Sequence, residues 1–179
     1  MDKKEKFSEI RIAHIRITPY LAEYARNLYN AGRSDGAIKI PYTSDLYHLV
    51  YELMDRRRAD HVDVADTNLS IILPSRRECY GDCVLKNPRY YNHLSIRSSR
   101  YIEDWLRRCF NFEFHELMMR NEERGRPQRQ LDVVSWFMKS HGIKSISEDA
   151  LLMNFKRFRR RIQPNFVRKY EKSRKFTKN

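Results

Sequence analysis

The chain has 179 residues, 41% of them hydrophobic and 12% aromatic, with only 5 Gly and 6 Pro. That balance excludes a wholly disordered or low-complexity protein and allows one compact domain or two small ones. Lys and Arg number 36 against 23 Asp and Glu, a formal charge of +13, and no apolar run approaches the length of a membrane span, so the expected partner is a polyanion and not a bilayer.

The charge is uneven along the chain. From residue 156 to residue 178 there are eleven cations against Glu171 alone, which places +10 of the +13 in this short stretch. Such a run repels itself unless a polyanion meets it, which favours nucleic acid over a small acidic substrate. The amino terminus, Met1-Asp2-Lys3-Lys4-Glu5-Lys6, has no apolar stretch behind it that would serve as a signal peptide. Cys79, Cys83 and Cys109 are odd in number, as expected for reduced thiols in a cytoplasmic protein and not for a disulfide framework.

Residues 9–17 place isoleucines at 10, 12, 15 and 17, with Arg11 and Arg16 between them, and read as a strand. Thr18 as N-cap and Pro19 at the first helical position then open a helix whose apolar face is Leu21, Ala22, Ala25, Leu28 and Tyr29. Residues 37–40 form a second short strand ending at Pro41. A second helix follows, capped by Thr43 or Ser44, with Leu46, Leu49, Val50, Leu53 and Met54 buried and Arg56-Arg57-Arg58 at its end. Residues 69–73, between Asn68 and Pro74, give a third strand.

Residues 74–92 show no periodicity and read as a long exposed loop, with Arg76, Arg77, Lys86, Arg89, Tyr90 and Tyr91 as a basic and aromatic patch. From about Ser98 to Asn121 the pattern becomes a long amphipathic helix through Ile102, Trp105, Leu106, Cys109, Phe110, Phe112 or Glu113, Leu117 and Met118. After the charged connection 121–130, a shorter helix carries Leu131, Val134, Trp136, Phe137 and Met138 and stops at His141-Gly142. Ser145 followed by Glu148 matches a capping box, and Leu151, Phe155, Phe158 and Ile162 extend an apolar stripe from it. Pro164 marks the end of regular structure.

With that stripe inward, Asn154, Lys156, Arg157, Arg160 and Arg161 are expected to face outward. Asn and Arg suit bidentate contacts with adenine and guanine edges, and Lys and the remaining Arg suit phosphate. Arg159, Arg168, Lys169, Lys172, Arg174 and Lys175 complete the candidate nucleic-acid-binding set. In the tail, Phe166, Tyr170 and Phe176 are interleaved with cations and either stack on bases or tuck the tail against the body.

Residues 128–162 resemble the helix-turn-helix modules of bacterial regulators, with a turn at 141–146 that is longer than usual for them. The chain as a whole is similar to small basic proteins carried by bacterial mobile elements. The resemblance implies DNA as partner ahead of RNA, a role in transcriptional or mobile-element regulation, and a location in a bacterial cell or in association with phage.

Other chemistry is poorly supported. Cys79, Cys83 and His93 have a permissible zinc spacing but lack a fourth ligand, and His115-Glu116 begins a zincin motif that fails at Met119. Asp60, Asp63 and Asp66 with His61 could hold a divalent ion for phosphodiester cleavage, though such clusters are more often solvated loops. No cofactor, metal or catalytic residue is therefore assigned.

The expected architecture is α+β and mainly helical. A domain over residues 1–95 has a small sheet with packed helices, a trihelical module covers 96–163, and a basic tail covers 164–179. The amino-terminal domain positions the module or pairs across a two-fold axis into a homodimer. Besides a regulator, the sequence leaves open a structural or packaging protein that binds nucleic acid without sequence preference, for example in a virion or ribonucleoprotein, and a metal-dependent nuclease or recombination accessory.

Overall fold

The computed structural model describes residues 11–29, 36–57, 66–74, 86–87 and 90–162. The fold is α+β and mainly helical, with the strands toward the amino terminus and long helices after them. No helix among the described residues is long and apolar enough to cross a membrane.

The chain divides into two compact units. Residues 1–111 with 141–145 make the first, and residues 112–140 with 146–179 make the second. The division falls inside a helix, beyond the boundary at residue 95 expected from composition.

In the first unit, β1 (Ile12–Ile15) alternates because its period-two pattern puts Ala13 and Ile15 inward and Ile12 and His14 outward. It pairs antiparallel with β4 (Leu69–Ile72), and β2 (Ala37–Ile38) pairs parallel with the other side of β4, giving the order β1-β4-β2. The parallel pair needs a crossover, supplied by α2 (Asp45–Leu53). Ser44 Oγ caps α2 by accepting from Leu46 N at 3.3 Å. α1 (Pro19–Tyr29) begins where the carbonyl of Thr18 accepts the amides of Leu21 and Ala22, while the Thr18 hydroxyl donates to Glu103 instead of capping. Leu21, Ala25, Ile38, Leu46, Val50 and Ile71 are fully buried, and each large aliphatic side chain among them contributes roughly 1.5–3 kcal/mol relative to exposure.

Two very short strands lie outside the sequence expectation. The chain leaves α2 at Met54, where ψ is 130°, and β3 (Asp55–Arg56) pairs antiparallel with β5 (Tyr91–His93), so Arg56 belongs to a strand and not to a helix end. Part of the long loop is thereby ordered. Lys86 Nζ donates to the carbonyls of Glu52 and Met54 at 2.5 and 2.8 Å and stands over the rings of Tyr51 and Tyr91.

Asn68 holds this unit together in a way that periodicity cannot reveal. Its amide accepts from Ile17 N at 3.0 Å and donates to Ile17 O at 2.7 Å, imitating one rung of a strand ladder. Arg11 makes a second clasp, donating to Tyr91 O at 3.1 Å and Pro74 O at 2.8 Å.

α3 (Ile96–Glu123) starts at Ser95, whose Oγ accepts from Ser98 N at 3.1 Å. Its buried positions recur every four residues at Ile102, Leu106, Phe110, Phe114 and Met118. Phe112 is 72% exposed, so the expected helical stripe is corrected by two residues to Phe114. In the first unit Phe110 packs against the rings of Tyr20 and Tyr24.

The second unit contains the end of α3, α4 (Gln130–Ser140) and α5 (Glu148–Ile162). Phe114 lies 5.2 Å from Phe137 and 6.5 Å from Phe155, and Met118, Val133, Val134 and Leu151 complete the core. Trp136 and Leu131, expected on the apolar face of α4, are 58% and 46% exposed. Asn121, nearly buried, closes the α3–α4 connection by donating to Gln128 O and accepting from Gln128 N.

Candidate nucleic-acid interface

α5 is built from two opposed charge blocks. Glu148 and Asp149 occupy its first turn and Arg159, Arg160 and Arg161 its last, each placed to complement the helix dipole. Its N-cap is Ser147, whose Oγ accepts from Ala150 N at 3.2 Å. The expected cap, Ser145, does something else: its amide and hydroxyl, with the amide of Lys144, donate to the Glu23 carboxylate at 2.8–3.1 Å within the first unit.

The stripe of Leu151, Phe155 and Phe158 points inward, with Leu151 and Phe155 buried. Ile162, expected to continue the stripe, is 47% exposed at the end of the helix. At about 100° per residue, Lys156, Arg160, Arg157 and Arg161 span an arc of roughly 140° on the face opposite this stripe. All four are exposed, and residues 153–162 contain no carboxylate. Met153, 45% exposed, shares this face.

Two of the expected readers are not on this arc. Arg159 donates to Glu122 at 3.0 Å, where both side chains are largely covered, and the same carboxylate oxygen accepts from Arg126 at 2.8 Å and Gln130 at 2.9 Å. Asn154, expected to face outward, is partly buried and bonds to His115 through its Oδ1, 2.6 Å from Nε2. The His115 ring in turn lies flat on Phe158, with centroids 4.0 Å apart and planes 15° from parallel. Burial holds the His115 pKa below its ordinary value; the Asn154 bond opposes this and the nearby Arg161 charge reinforces it.

Periodicity missed both positions because they flank the apolar stripe, where a polar side chain can turn either way. The hint in the sequence was His115 itself, a polar residue beside the apolar ladder of α3.

Arg168, Lys169, Lys172, Arg174 and Lys175 lie outside the described residues, as do Cys79, Cys83, Asp60, His61, Asp63, Arg76, Arg77 and Arg89. Asp66 is described and exposed, with a positive φ of 57°. Among the described residues no group of three His, Cys, Asp or Glu could hold a metal ion. Of the basic and aromatic patch only Lys86, Tyr90 and Tyr91 are among the described residues, and Arg56 stands over the rings of Tyr90 and Tyr91 at 5.7 and 5.1 Å.

No protein-family model matches this chain, and no curated protein and no solved structure matches it either.

Proposed function

We propose that this protein binds DNA, chiefly by gripping phosphates with the last two turns of α5 and the cations that follow them in sequence. The observation that carries this reading is the arc of Lys156, Arg157, Arg160 and Arg161, exposed together and opposite a buried stripe that fixes their direction. Cations held on one face of a rigid helix meet a polyanion without first ordering themselves, and each phosphate contact releases counterions.

Regulation through a chosen site needs base-edge contacts as well. Helix-turn-helix readers usually make these from the amino-terminal residues of the recognition helix. Here that end carries Glu148 and Asp149, and Asn154, the side chain best suited to adenine, is bonded to His115. Both observations favour the second reading, a structural nucleic-acid-binding protein with little sequence preference, over a transcriptional or mobile-element regulator.

Fluorescence anisotropy of the full chain on duplex DNA and duplex RNA across a salt series tests the proposal. Replacing Arg157 and Arg160 by Gln lowers the salt slope on DNA by about 1.8, at roughly 0.9 per lost phosphate contact. An unchanged slope overturns the role of α5. Competition by a random duplex against a selected one then separates the readings, since a regulator discriminates and a packaging protein does not.

A further inference from the structure

The connection between α3 and α4 carries cations of its own, which the proposed role of α5 does not use. It runs Arg124-Gly125-Arg126-Pro127-Gln128-Arg129, and all six residues are described and exposed. Among the described residues neither the Arg124 nor the Arg129 guanidinium has a hydrogen bond or an ion pair. Arg129 directly precedes α4, where its charge opposes the helix dipole, so helix stability does not account for it.

Asn121 braces this connection at two points. Its carbonyl accepts from Arg126 N at 2.8 Å, and its side chain donates to Gln128 O at 3.0 Å and accepts from Gln128 N at 3.3 Å. Cations displayed on a backbone held in this way meet an anion at little ordering cost.

Tertiary structure brings the connection beside the end of α5, within the same unit. One oxygen of Glu122 accepts from Arg126 at 2.8 Å and from Arg159 at 3.0 Å, so the two guanidinium nitrogens are no further apart than two hydrogen bonds laid end to end. Arg160 and Arg161, both exposed, follow Arg159 directly. The Glu122 carboxylate is largely covered and serves two cations, which leaves Glu123 as the one exposed carboxylate in residues 122–130. Arg124, Arg126 and Arg129 outnumber it, and their surface continues that of Arg160 and Arg161.

We propose that Arg124, Arg126 and Arg129 make a second contact with the phosphodiester backbone of the DNA that α5 grips. The inference rests on the reading of α5 as a DNA-binding element and extends the footprint from one helix end to two elements. Phosphate contacts from two elements fix the orientation of the unit on a duplex without reading its sequence.

The test is fluorescence anisotropy on duplex DNA across a salt series, with the full chain and three variants of it: Arg124→Gln/Arg129→Gln, Arg157→Gln/Arg160→Gln and Lys139→Gln. Lys139 is an exposed cation of the same unit, but it stands ten residues along α4 from Arg129, about 15 Å at 1.5 Å per residue. The expected result is a slope lowered by about 1.8 in Arg124→Gln/Arg129→Gln, at roughly 0.9 per lost contact, and unchanged in Lys139→Gln. The melting temperature of the connection variant stays that of the natural chain, since neither guanidinium has a partner to lose. A slope lowered by the α5 variant and not by the connection variant overturns the second contact and leaves the α5 reading standing. A slope lowered by the connection variant and not by the α5 variant supports the contact and removes α5 from the interface. A loss of about 0.9 in Lys139→Gln overturns the proposal, because net charge and not this surface then sets the slope.

Discussion

His115 and Asn154 are joined by a hydrogen bond of 2.6 Å between Nε2 and Oδ1, so a residue of α3 fixes the one amide of α5 suited to reading a base. Because the amide oxygen accepts, Nε2 carries the proton, and stacking on Phe158 keeps the neutral ring covered on one face.

The pH dependence of stability follows from that neutral ring. Burial depresses its folded-state pKa below the ordinary imidazole value, with Arg161 adding to the effect against the Asn154 bond. Above about pH 6.5 the ring is neutral in folded and unfolded chains alike and its contribution is complete. As pH falls below that value the unfolded chain takes up the proton first, so stability is lost until pH passes the depressed folded value. Denaturant midpoints between pH 7.5 and 5 should therefore fall more steeply for the natural chain than for His115→Phe. Equal pH slopes for the two proteins count against it.

Arg159 and Arg160 are neighbours in sequence with different work to do. Arg159→Ala breaks the largely covered pair with Glu122 and should cost about 1–2 kcal/mol of stability, between the ranges for exposed and buried pairs. Arg160→Ala, on the exposed arc, should leave the unfolding midpoint within about 0.5 kcal/mol and weaken DNA binding instead. Chemical denaturation and anisotropy on both variants decide this.

Glu23 is the anchor of the α4–α5 connection within the first unit. Desolvation acts to raise its pKa, but the amides of Lys144 and Ser145, the Ser145 hydroxyl and the Arg26 charge together bring it below the usual carboxylate value. Its contribution is therefore present above the ordinary carboxylate range and is lost as pH falls through the depressed value. Glu23→Ala should destabilise the chain by about 1 kcal/mol at pH 7 and by less in acid, and hydrogen exchange at Lys144 and Ser145 amides should accelerate.

Gly142 follows α4 with a φ of 62°. A Cβ there meets nothing closer than Asn27 Nδ2 at 4.0 Å, so space is available and the cost is conformational. Gly142→Ala should lower stability by about 1–2 kcal/mol, and Gly142→Asn, which tolerates the left-handed region better, by less. Thermal melts of the two variants give the comparison.

Much of this fold was legible in residue order. The strand through Ile12 and Ile15, Pro19 at the start of α1, Ser44 as one of two candidate caps for α2 and the helical spacing from Ile102 to Phe110 each carry a period or an end signal that local chemistry enforces. Ile12 is nonetheless exposed, and the Thr18 hydroxyl goes to Glu103. β3 and β5 carry neither. They are two and three residues long in polar sequence, and only their pairing with each other and the Arg11 and Lys86 clasps make them strands. Ser145 matched the capping box and Ser147 did not, yet Glu23, more than a hundred residues away, accepts from Ser145 and it is Ser147 that caps α5.

The charge at the carboxy-terminal end of the chain divides in the same way. The sequence by itself determined that the cations of α5 lie on a helix with an apolar stripe, because helical spacing is a local property. Which of them are available was decided only by the fold. Glu122 takes Arg159 and His115 takes Asn154, while Lys156, Arg157, Arg160 and Arg161 remain exposed. A polar side chain flanking a buried stripe goes to whichever partner the neighbouring helix supplies, and spacing along one helix does not contain that partner.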